Sequence, residues 1–433
     1  MPSQPSIGGK LRESGFMRAV TVLLSGSVIA QAVPLLALPF LTRLYSPKQF
    51  GIFAIYFSLC GFLGLIATLR YDQAIMLPRG RQQAVAVFNL SLYVASSICA
   101  VTLVVLLSLS CWPRVSTMLP QWSLLVPVAA VCMCVSQSSI ALANRDGAFG
   151  AISGGRVARA ACIVIAQLFL GIQLVEYGLI WGHCAGTILG LIAFVVLART
   201  PWGLVLPNPS RWRRALAMAR AYRSFPINNG PQALSDAFQA TAMLFLLKIG
   251  YGASIAGFYS QAVRVLKLPV TLLGSAVSEV LYKTTSEKRN RGLPLSPAVN
   301  RCLYLAVLVT VPLAILGIIF SPSAFALVFG EAWREAGHYA RRLMPWMMMS
   351  FATAMLSRMP MILERQNGFM KIGVVGNLLM VALLALAIKA GVNSRLSMLL
   401  LGLGGVAFLG WALYWIVAWT RVHDERLLPS NRV

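Results

Sequence analysis

Acidic residues are scarce in this 433-residue chain, which has 12 Asp and Glu and only 11% charged residues in total. An ordinary soluble domain is about 25% charged and about 45–50% apolar, whereas 58% of this sequence is hydrophobic. Both departures exclude a soluble enzyme and indicate a membrane protein. The sequence has no long polar stretch that would form a sizeable water-soluble domain.

Metal ligands are equally sparse. The sequence has 3 histidines, and its 8 cysteines fall in or beside apolar segments, where cysteine behaves as a small buried hydrophobe. Cys132 and Cys134 are two residues apart, so on a helix they point in different directions, and no histidine lies near them in the sequence. The glycine spacing has no Walker pattern. We therefore predict no metal site and no cofactor.

Positively charged residues, in contrast, are plentiful. The 37 Lys and Arg give a net charge of +25. In a soluble protein this excess would point to nucleic acid. Here most basic residues lie between apolar runs, so we predict no nucleic-acid partner. The excess is a topology signal, because basic loops resist translocation.

Twelve apolar runs are long enough to cross a bilayer, since one helical crossing takes about 20 residues. They cover residues 16–42, 49–69, 83–112, 121–143, 157–175, 177–198, 226–249, 253–282, 298–320, 339–363, 370–389 and 396–420. The first run exceeds the ~7–15 apolar residues of a signal-peptide core and has no small-residue cleavage site, so we keep it as a helix. We predict an all-α integral membrane protein with about 12 transmembrane helices.

The basic residues are distributed unevenly between the two sides of these spans. With the N-terminus inside, the cytoplasmic segments hold 26 Lys and Arg, the outward segments hold 9, and 2 lie within the eighth span. This asymmetry predicts that both termini are cytoplasmic.

The longest polar connection divides six spans from six. We predict two six-helix halves, residues 1–200 and 223–433, joined by a basic cytoplasmic linker at residues 201–222. Two such halves in the same orientation are a common transporter plan, with the substrate path between them.

A weak internal repeat supports this division. The segment YSPKQFGIF, which starts at Tyr45, matches YGASIAGFY, which starts at Tyr251, and Gly51 aligns with Gly257. Chance similarity between apolar helices is the alternative explanation.

Two stretches of the sequence carry a family resemblance. Residues 38–54 (LPFLTRLYSPKQFGIFA) and 65–75 (LIATLRYDQAI) resemble the opening of bacterial Wzx-type polysaccharide flippases. Residues 329–337 (FGEAWREAG) are similar to the outward loop of that family before its tenth span. The family belongs to the multidrug/oligosaccharidyl-lipid/polysaccharide exporter superfamily, and the helix number and spacing resemble it along the whole chain.

The resemblance implies a V-shaped fold of the multidrug and toxin extrusion (MATE) type in the bacterial cytoplasmic (inner) membrane. It implies a transporter that flips an undecaprenyl-diphosphate-linked oligosaccharide, such as an O-antigen, capsule or exopolysaccharide repeat unit, to the outer leaflet by alternating access. The implied partners are this polyprenyl-diphosphate-linked glycan, membrane lipid and other polysaccharide-assembly proteins.

Two cations lie where a bilayer tolerates charge poorly. Arg264 and Lys267 sit a third to halfway along the eighth span, and a cation at mid-bilayer costs about 2.5–3.5 kcal/mol on insertion scales. Three residues apart, they share a helix face with Gln261, and a guanidinium can hold two oxygens of a diphosphate. We predict a water-filled cationic cavity that binds the substrate head group. Snorkelling of both side chains toward an interface is the alternative.

The seventh span is the other strongly polar helix. Asn228 and Gln239 belong to a set of polar residues at three- or four-residue steps, and we assign both to the cavity. Asp236 is the sole acid well within this helix. Two roles are open for it: a structural ion pair with Arg264, or uptake and release of a coupling proton.

Further basic residues lie near the predicted cytoplasmic surface. They either form a rim that collects the anionic head group or only retain positive loops inside: Arg70, Arg156, Arg159 and Arg301. Arg358 is assigned to the cavity, because apolar sequence continues after it within the predicted tenth span.

Two other functions are open. A multidrug antiporter of the same superfamily would need acids for its usually cationic substrates, where this sequence has Arg264 and Lys267. A polysaccharide polymerase or ligase needs positioned acids or bases in a substantial outer loop. The largest predicted outward loop, residues 321–337, offers Glu331 and Glu335. Acids one helical turn apart more often form a solvated face than a catalytic pair, so we do not predict an enzyme.

Overall fold

The regular structure in the described residues is entirely helical, which confirms the predicted all-α class. The computed structural model describes residues 7–112, 120–198 and 212–427. The helices are α1 (Ile7–Leu44), α2 (Pro47–Thr68), α3 (Tyr71–Ala74), α4 (Arg81–Ser110), α5 (Leu125–Arg145), α6 (Phe149–Ile172), α7 (Gly178–Leu197), α8 (Trp212–Ala221), α9 (Ser224–Tyr251), α10 (Ala253–Pro269), α11 (Ser275–Asn290), α12 (Ser296–Phe329), α13 (Arg334–Met355), α14 (Met359–Ile362), α15 (Gln366–Lys389) and α16 (Ser394–Leu427). Short 3-10 turns precede α5 and α13, and a π-helical turn joins α10 to α11: Gln121–Leu124, Glu331–Trp333 and Val270–Gly274.

Ten helices in the described ranges are long and apolar enough to cross a membrane: α1, α2, α4, α5, α6, α7, α9, α12, α15 and α16. The predicted eighth and tenth spans are not among them. The eighth carries two cations and is divided after Pro269 by the π-helical turn. The tenth contains Arg341 and Arg342 and is divided between α13, which ends at Met355, and the short α14. The structure therefore supports a multi-pass membrane protein, and twelve crossings remain a proposal.

The helices fall into two compact units. The first comprises Met1–Tyr45 and Ile55–Leu234, and the second comprises Ser46–Ala54 and Ser235–Val433. This division falls inside α9, later than the predicted linker at residues 201–222, and it places the first turns of α2 in the second unit.

The predicted basic linker is partly helical. Its residues 201–211 lie outside the described part of the chain, and α8 forms most of the remainder. Ala215 of α8 is fully buried, and the Trp212 ring meets the Tyr93 ring of α4 edge-on, with centroids 5.2 Å apart. This end of the linker therefore packs onto the first unit.

Glycines bring two helices of the first unit into backbone contact. Gly182, Gly186 and Gly190 recur every four residues along α7, and a Cβ at any of them would lie within 3 Å of the α6 backbone. Small residues at this spacing allow membrane helices to pack closely. One consequence is that Arg159 of α6 is held against α7 at Gly190.

The second unit contains a comparable close approach at the two glycines of the predicted repeat. A Cβ on Gly51 would lie 1.8 Å from the Ala253 carbonyl oxygen, and a Cβ on Gly257 would lie 2.0 Å from the Pro47 carbonyl oxygen. The starts of α2 and α10 therefore cross with no room for a side chain at either position.

The two tyrosines of the repeat also make matching contacts. The Tyr45 hydroxyl donates a 2.7 Å hydrogen bond to the Gln167 carbonyl in the first unit. The Tyr251 hydroxyl donates a hydrogen bond of the same length to the Val392 carbonyl in the second. Each tyrosine thus ties the end of one membrane helix to backbone well over a hundred residues later, as expected for equivalent positions in two related halves.

The tryptophan of the second family motif is a packing residue. Trp333 is fully buried, and its ring meets Phe50 and Phe258 edge-on, at centroid distances of 4.9 and 6.0 Å. Edge-to-face aromatic contacts of this kind stabilise a core beyond the area they bury. The motif therefore contributes to the fold of the second unit.

Candidate functional site

The two mid-span cations lie on one face of α10. Arg264 and Lys267 are both exposed, and no carboxylate of the described residues is within ion-pair distance of either. Gln261, one turn earlier, is only 1% exposed, and its side-chain nitrogen has no hydrogen-bond partner in the described part of the chain. The face therefore offers an unpaired positive charge and a free amide donor.

The opposite face of α10 is apolar. Val265, Leu266 and Pro269 border a groove that is completed by apolar residues of α12 and α13. Charge and apolar surface are thus separated on the two sides of the helix.

A polar cluster lies close to the cations. The Asp236 carboxylate of α9 accepts a 2.7 Å hydrogen bond from the Asn377 side-chain nitrogen of α15. The same nitrogen lies 3.1 Å from the Ser235 hydroxyl oxygen. Asp236 is near enough to Lys267 for their opposite charges to attract. The polar face of α9 therefore lies near the cationic face of α10.

One of the two roles open for Asp236, an ion pair with Arg264, is absent from the described residues, where Asp236 is hydrogen bonded to Asn377. Asn377 is 5% exposed, and a buried amide needs a partner of this kind. Gln239, one turn after Asp236, is half-buried on the same helix. The side chain of Asn228, also assigned to the cavity, lies outside the described residues.

Arg358 lies in a different setting from the predicted one. Helix α13 ends at Met355, so Arg358 sits in the turn before α14 and not within a span. Its guanidinium is 3.4 Å from the Glu279 carboxylate and 5.6 Å from the centre of the Tyr282 ring. The reason is Pro360, which occupies the first turn of α14 and favours the start of a new helix.

The predicted rim residues do not share one environment. Arg156 donates a 2.7 Å hydrogen bond to the Ser27 hydroxyl, whereas Arg159 is half-buried beside α7 and Arg301 is exposed on α12. Arg70 has a left-handed backbone conformation (φ 62°), and its buried Nε has no partner among the described residues.

Asp72 is a further polar residue of this region. It lies in the short helix α3, two residues after Arg70, and it lines the same cavity as Arg156. Burial raises the pKa of the Asp72 carboxyl, and the neighbouring Arg70 charge offsets this effect only in part. The strained turn thus holds a carboxylate whose cost of burial the surrounding protein does not fully offset.

The pKa shift of Asp72 predicts a pH-dependent effect on stability. A carboxyl whose pKa is raised in the folded state destabilises the fold when it is ionised. The free-energy cost is absent below the unfolded pKa of ~3.9, and it grows as the pH rises from that value through the folded pKa. Asp72→Asn should therefore unfold at a higher temperature than the wild type at pH 7–8, and this advantage should shrink toward pH 4. Thermal unfolding of the purified protein across this range measures it. An advantage that grows in acid would contradict the assignment.

Two further site residues were missed in the sequence. Asn377 is the single amide within the predicted span at residues 370–389, and Glu279 lies in the polar second half of the predicted eighth span. A lone polar residue in an apolar span is a recognisable signal, because burying it is costly without a partner. Which residue it contacts depends on the tertiary structure.

Solved structures that share this fold include transporters and a lipid flippase. The chain superposes on a multidrug resistance MATE family transporter of the MOP superfamily in its inward-facing conformation, with a TM-score of 0.63 at 14% identity over 95% of this chain and 99% of that one. The lipid II flippase MurJ, in an inward closed conformation, gives a TM-score of 0.67 at 12% identity over 94% and 91%. A MOP superfamily transporter from Pyrococcus furiosus, described for the reverse polarity of its binding pocket, gives 0.60 at 13% identity over 94% and 96%. These identities establish the fold alone.

Sequence comparison supplies the family. No curated protein matches the chain at a significant level. The family profile described as polysaccharide biosynthesis protein matches residues 40–338, well over half of the chain. The chain therefore belongs to the polysaccharide biosynthesis protein family and has the fold of MOP superfamily transporters.

Proposed function

We propose that this chain is a flippase that moves an undecaprenyl-diphosphate-linked oligosaccharide from the inner to the outer leaflet of the bacterial cytoplasmic membrane. Membership of a polysaccharide biosynthesis family and a fold shared with transporters support a role in moving a polysaccharide precursor. Twelve crossings, cytoplasmic termini and alternating access are parts of the same proposal.

The observation that carries the proposal is the cationic face of α10. Arg264 and Lys267 are exposed and have no acid within ion-pair distance in the described ranges. An unpaired cation within a membrane is costly unless water or an anion compensates it. A diphosphate supplies that anion, and the same contact lowers the cost of taking the diphosphate out of water.

This contact also determines where each part of the substrate lies. The diphosphate binds Arg264 and Lys267, the hydrophilic glycan stays in the water-filled cavity, and the polyprenyl chain stays in lipid. Alternating exposure of the cavity to the two sides then carries the head group across without moving it through hydrocarbon.

The arrangement of charges argues against a multidrug antiporter. A cationic drug needs carboxylates in its binding site, and the cationic face of α10 would repel it. The one carboxylate described nearby, Asp236, is already engaged by Asn377 and attracted by Lys267.

The outward acids that an enzyme would need are held in ion pairs. Helix α12 extends to Phe329, so the predicted outer loop shrinks to a few residues. Arg334 binds Glu331 at 2.6 Å and lowers the pKa of its carboxyl, and Arg395 binds Glu335 at 2.7 Å. A general acid needs the opposite shift, toward neutral pH. These contacts weigh against a polymerase or ligase.

We further propose that Asp236 couples transport to an ion gradient. The support is its setting: it is an acid on a membrane helix that is hydrogen bonded to a neutral amide and forms no ion pair with Arg264 in the described residues. Asp236→Asn should remove the dependence of the transport rate on an imposed ion gradient, while substrate affinity changes by less than about ten-fold. Transport by proteoliposomes with and without the gradient measures this.

A double variant separates coupling from a structural ion pair. If Asp236 only neutralises Arg264, then Asp236→Asn combined with Arg264→Gln should restore the transport lost in either single variant. Our proposal predicts no restoration, and recovery of transport would contradict it. Asn377→Ala should resemble Asp236→Asn, because Asn377 orients the carboxylate.

A reconstituted system tests the proposed function as a whole. Proteoliposomes that contain the purified protein and an undecaprenyl-diphosphate-linked oligosaccharide in one leaflet should transfer it to the other leaflet faster than protein-free liposomes do. A transfer rate equal to that of protein-free liposomes would overturn the flippase proposal, and hydrolysis or polymerisation of the probe would favour an enzyme.

A further inference from the structure

The first unit contains a polar cavity of its own. It has a volume of about 260 Å³ and is bordered by residues of α1, α3, α5 and α6. One carboxylate, one guanidinium and three amides form its polar lining: Asp72, Arg156, Gln73, Gln137 and Asn144. The charge distribution of the sequence predicts that this end of the helices is cytoplasmic, the side on which a lipid-linked glycan would be collected.

The lining groups have hydrogen-bonding capacity that the protein does not use. The side chains of Gln73, Gln137 and Asn144 are exposed and have no hydrogen-bond partner among the residues described. Asp72 Oδ1 is buried, and no donor in the described structure reaches it. Arg156 uses Nη1 for the Ser27 hydroxyl, which leaves its other donors free. The unused donors and acceptors of the exposed amides are available to the hydroxyl groups of a ligand.

The chemistry of the lining defines the class of ligand. One positive and one negative side chain leave no net charge, which distinguishes this cavity from the cationic face of α10. Carboxylate and amide groups together supply both acceptors and donors, as a ring of hydroxyl groups requires. The volume is slightly below the ~300–1,000 Å³ of pockets for drug-sized ligands, so the cavity suits one sugar ring.

We propose that this cavity is a saccharide subsite that binds one neutral sugar residue of the transported glycan. The inference rests on the proposed function, since it names the place where the same substrate is collected at the cytoplasmic side, before its diphosphate reaches α10. The amides of Gln137 and Asn144 donate to and accept from hydroxyl groups of the sugar, and the unused donors of Arg156 donate to them. The protein thereby distinguishes a glycosylated lipid diphosphate from the lipid diphosphate alone.

Binding of three probes to the full-length protein in lipid nanodiscs tests the subsite. The probes are undecaprenyl diphosphate and its conjugates with a single glucose or N-acetylglucosamine. At least one conjugate should bind the wild type about ten-fold more tightly than undecaprenyl diphosphate does, as expected for two or more net hydrogen bonds. The Gln137→Leu/Asn144→Leu variant should lose this difference but keep its affinity for undecaprenyl diphosphate. The control Gln83→Leu, at an exposed position outside the cavity, should retain the difference.

The outcomes separate the subsite from the proposed function. Equal binding of all three probes by the wild type, or an unchanged sugar preference in the double variant, would overturn the subsite alone. Failure of the wild type to bind any probe would overturn the flippase proposal and the subsite with it. If the double variant does not fold, Asn144→Ala provides the same comparison, with a loss of at least about three-fold in sugar preference expected.

Discussion

Replacing both Arg264 and Lys267 by leucine is expected to reduce transport of a lipid-linked glycan by at least about 100-fold. A hydrogen bond to a charged group contributes about 1.5–3 kcal/mol, and each 1.4 kcal/mol corresponds to a ten-fold change in affinity. Because the described residues place no acid within ion-pair distance of either cation, their removal breaks no salt bridge there. The protein should therefore fold normally and lose only its affinity for the diphosphate.

A charge-preserving exchange distinguishes charge from packing at the same positions. Arg264→Lys/Lys267→Arg keeps both positive charges, so we expect it to retain most of the transport, with a few-fold loss because the two side chains are not geometrically equivalent. Arg291→Leu/Lys371→Leu is the matched control, because it removes the same charge at two exposed positions, one in the turn after α11 and one on α15. It should leave transport unchanged. Transport by reconstituted protein is the measurement for all three variants.

A result of full transport in the double leucine variant would remove the main support for the cationic cavity. The same conclusion would follow if the control variant lost as much transport as the Arg264 and Lys267 variant. Binding of undecaprenyl diphosphate to each variant then shows whether the loss arises in binding or in a later step.

Replacing Gly51 or Gly257 by leucine is expected to destabilise the protein strongly. A Cβ at either position would lie within about 2 Å of a backbone carbonyl oxygen, and backbone cannot move aside as a flexible side chain can. Overpacking costs about 1–3 kcal/mol and sometimes more, and we expect the upper end of this range for each variant. In a chain of this size, that corresponds to a decrease of roughly 3 °C in unfolding temperature.

Helix α2 supplies a matched control for this prediction. Gly61 lies on the same helix as Gly51, and a Cβ at that position would have no neighbour within 4 Å. Gly61→Leu should therefore leave the unfolding temperature nearly unchanged. Equal unfolding temperatures for Gly51→Leu and Gly61→Leu would show that α2 and α10 do not cross closely at the repeat glycines.

The sequence predicts the long helices well because their apolar runs are continuous. The predicted spans at residues 177–198 and 370–389 end within a residue of Leu197 and Lys389, where α7 and α15 end. The predictions are less accurate where charge or proline interrupts a run. The predicted eighth span contains a π-helical turn after Pro269, because proline removes a backbone donor and disturbs the regular hydrogen-bonding pattern.

The candidate site is only partly predictable for a different reason. Helical spacing places Arg264 and Lys267 on one face, and it places Asp236 on a polar helix, without any knowledge of the neighbours. The partner of Asp236 is Asn377, 141 positions later in the sequence, and spacing along the chain carries no information about that contact. The contribution of Asp72 depends on the left-handed backbone at Leu69 and Arg70. Neither residue is a glycine, so the sequence does not predict this turn.

The leaflet location of the lipid-linked repeat unit in cells tests the central claim most directly. In cells that lack this chain, our account predicts that the intact unit accumulates in the cytoplasmic leaflet, inaccessible to an external probe that labels its sugars. Restoring the wild-type chain should make the unit accessible from outside, and restoring the Arg264→Leu/Lys267→Leu variant should not. Accumulation of accessible but unpolymerised units in the outer leaflet of the depleted cells would contradict the account and would favour a polymerase.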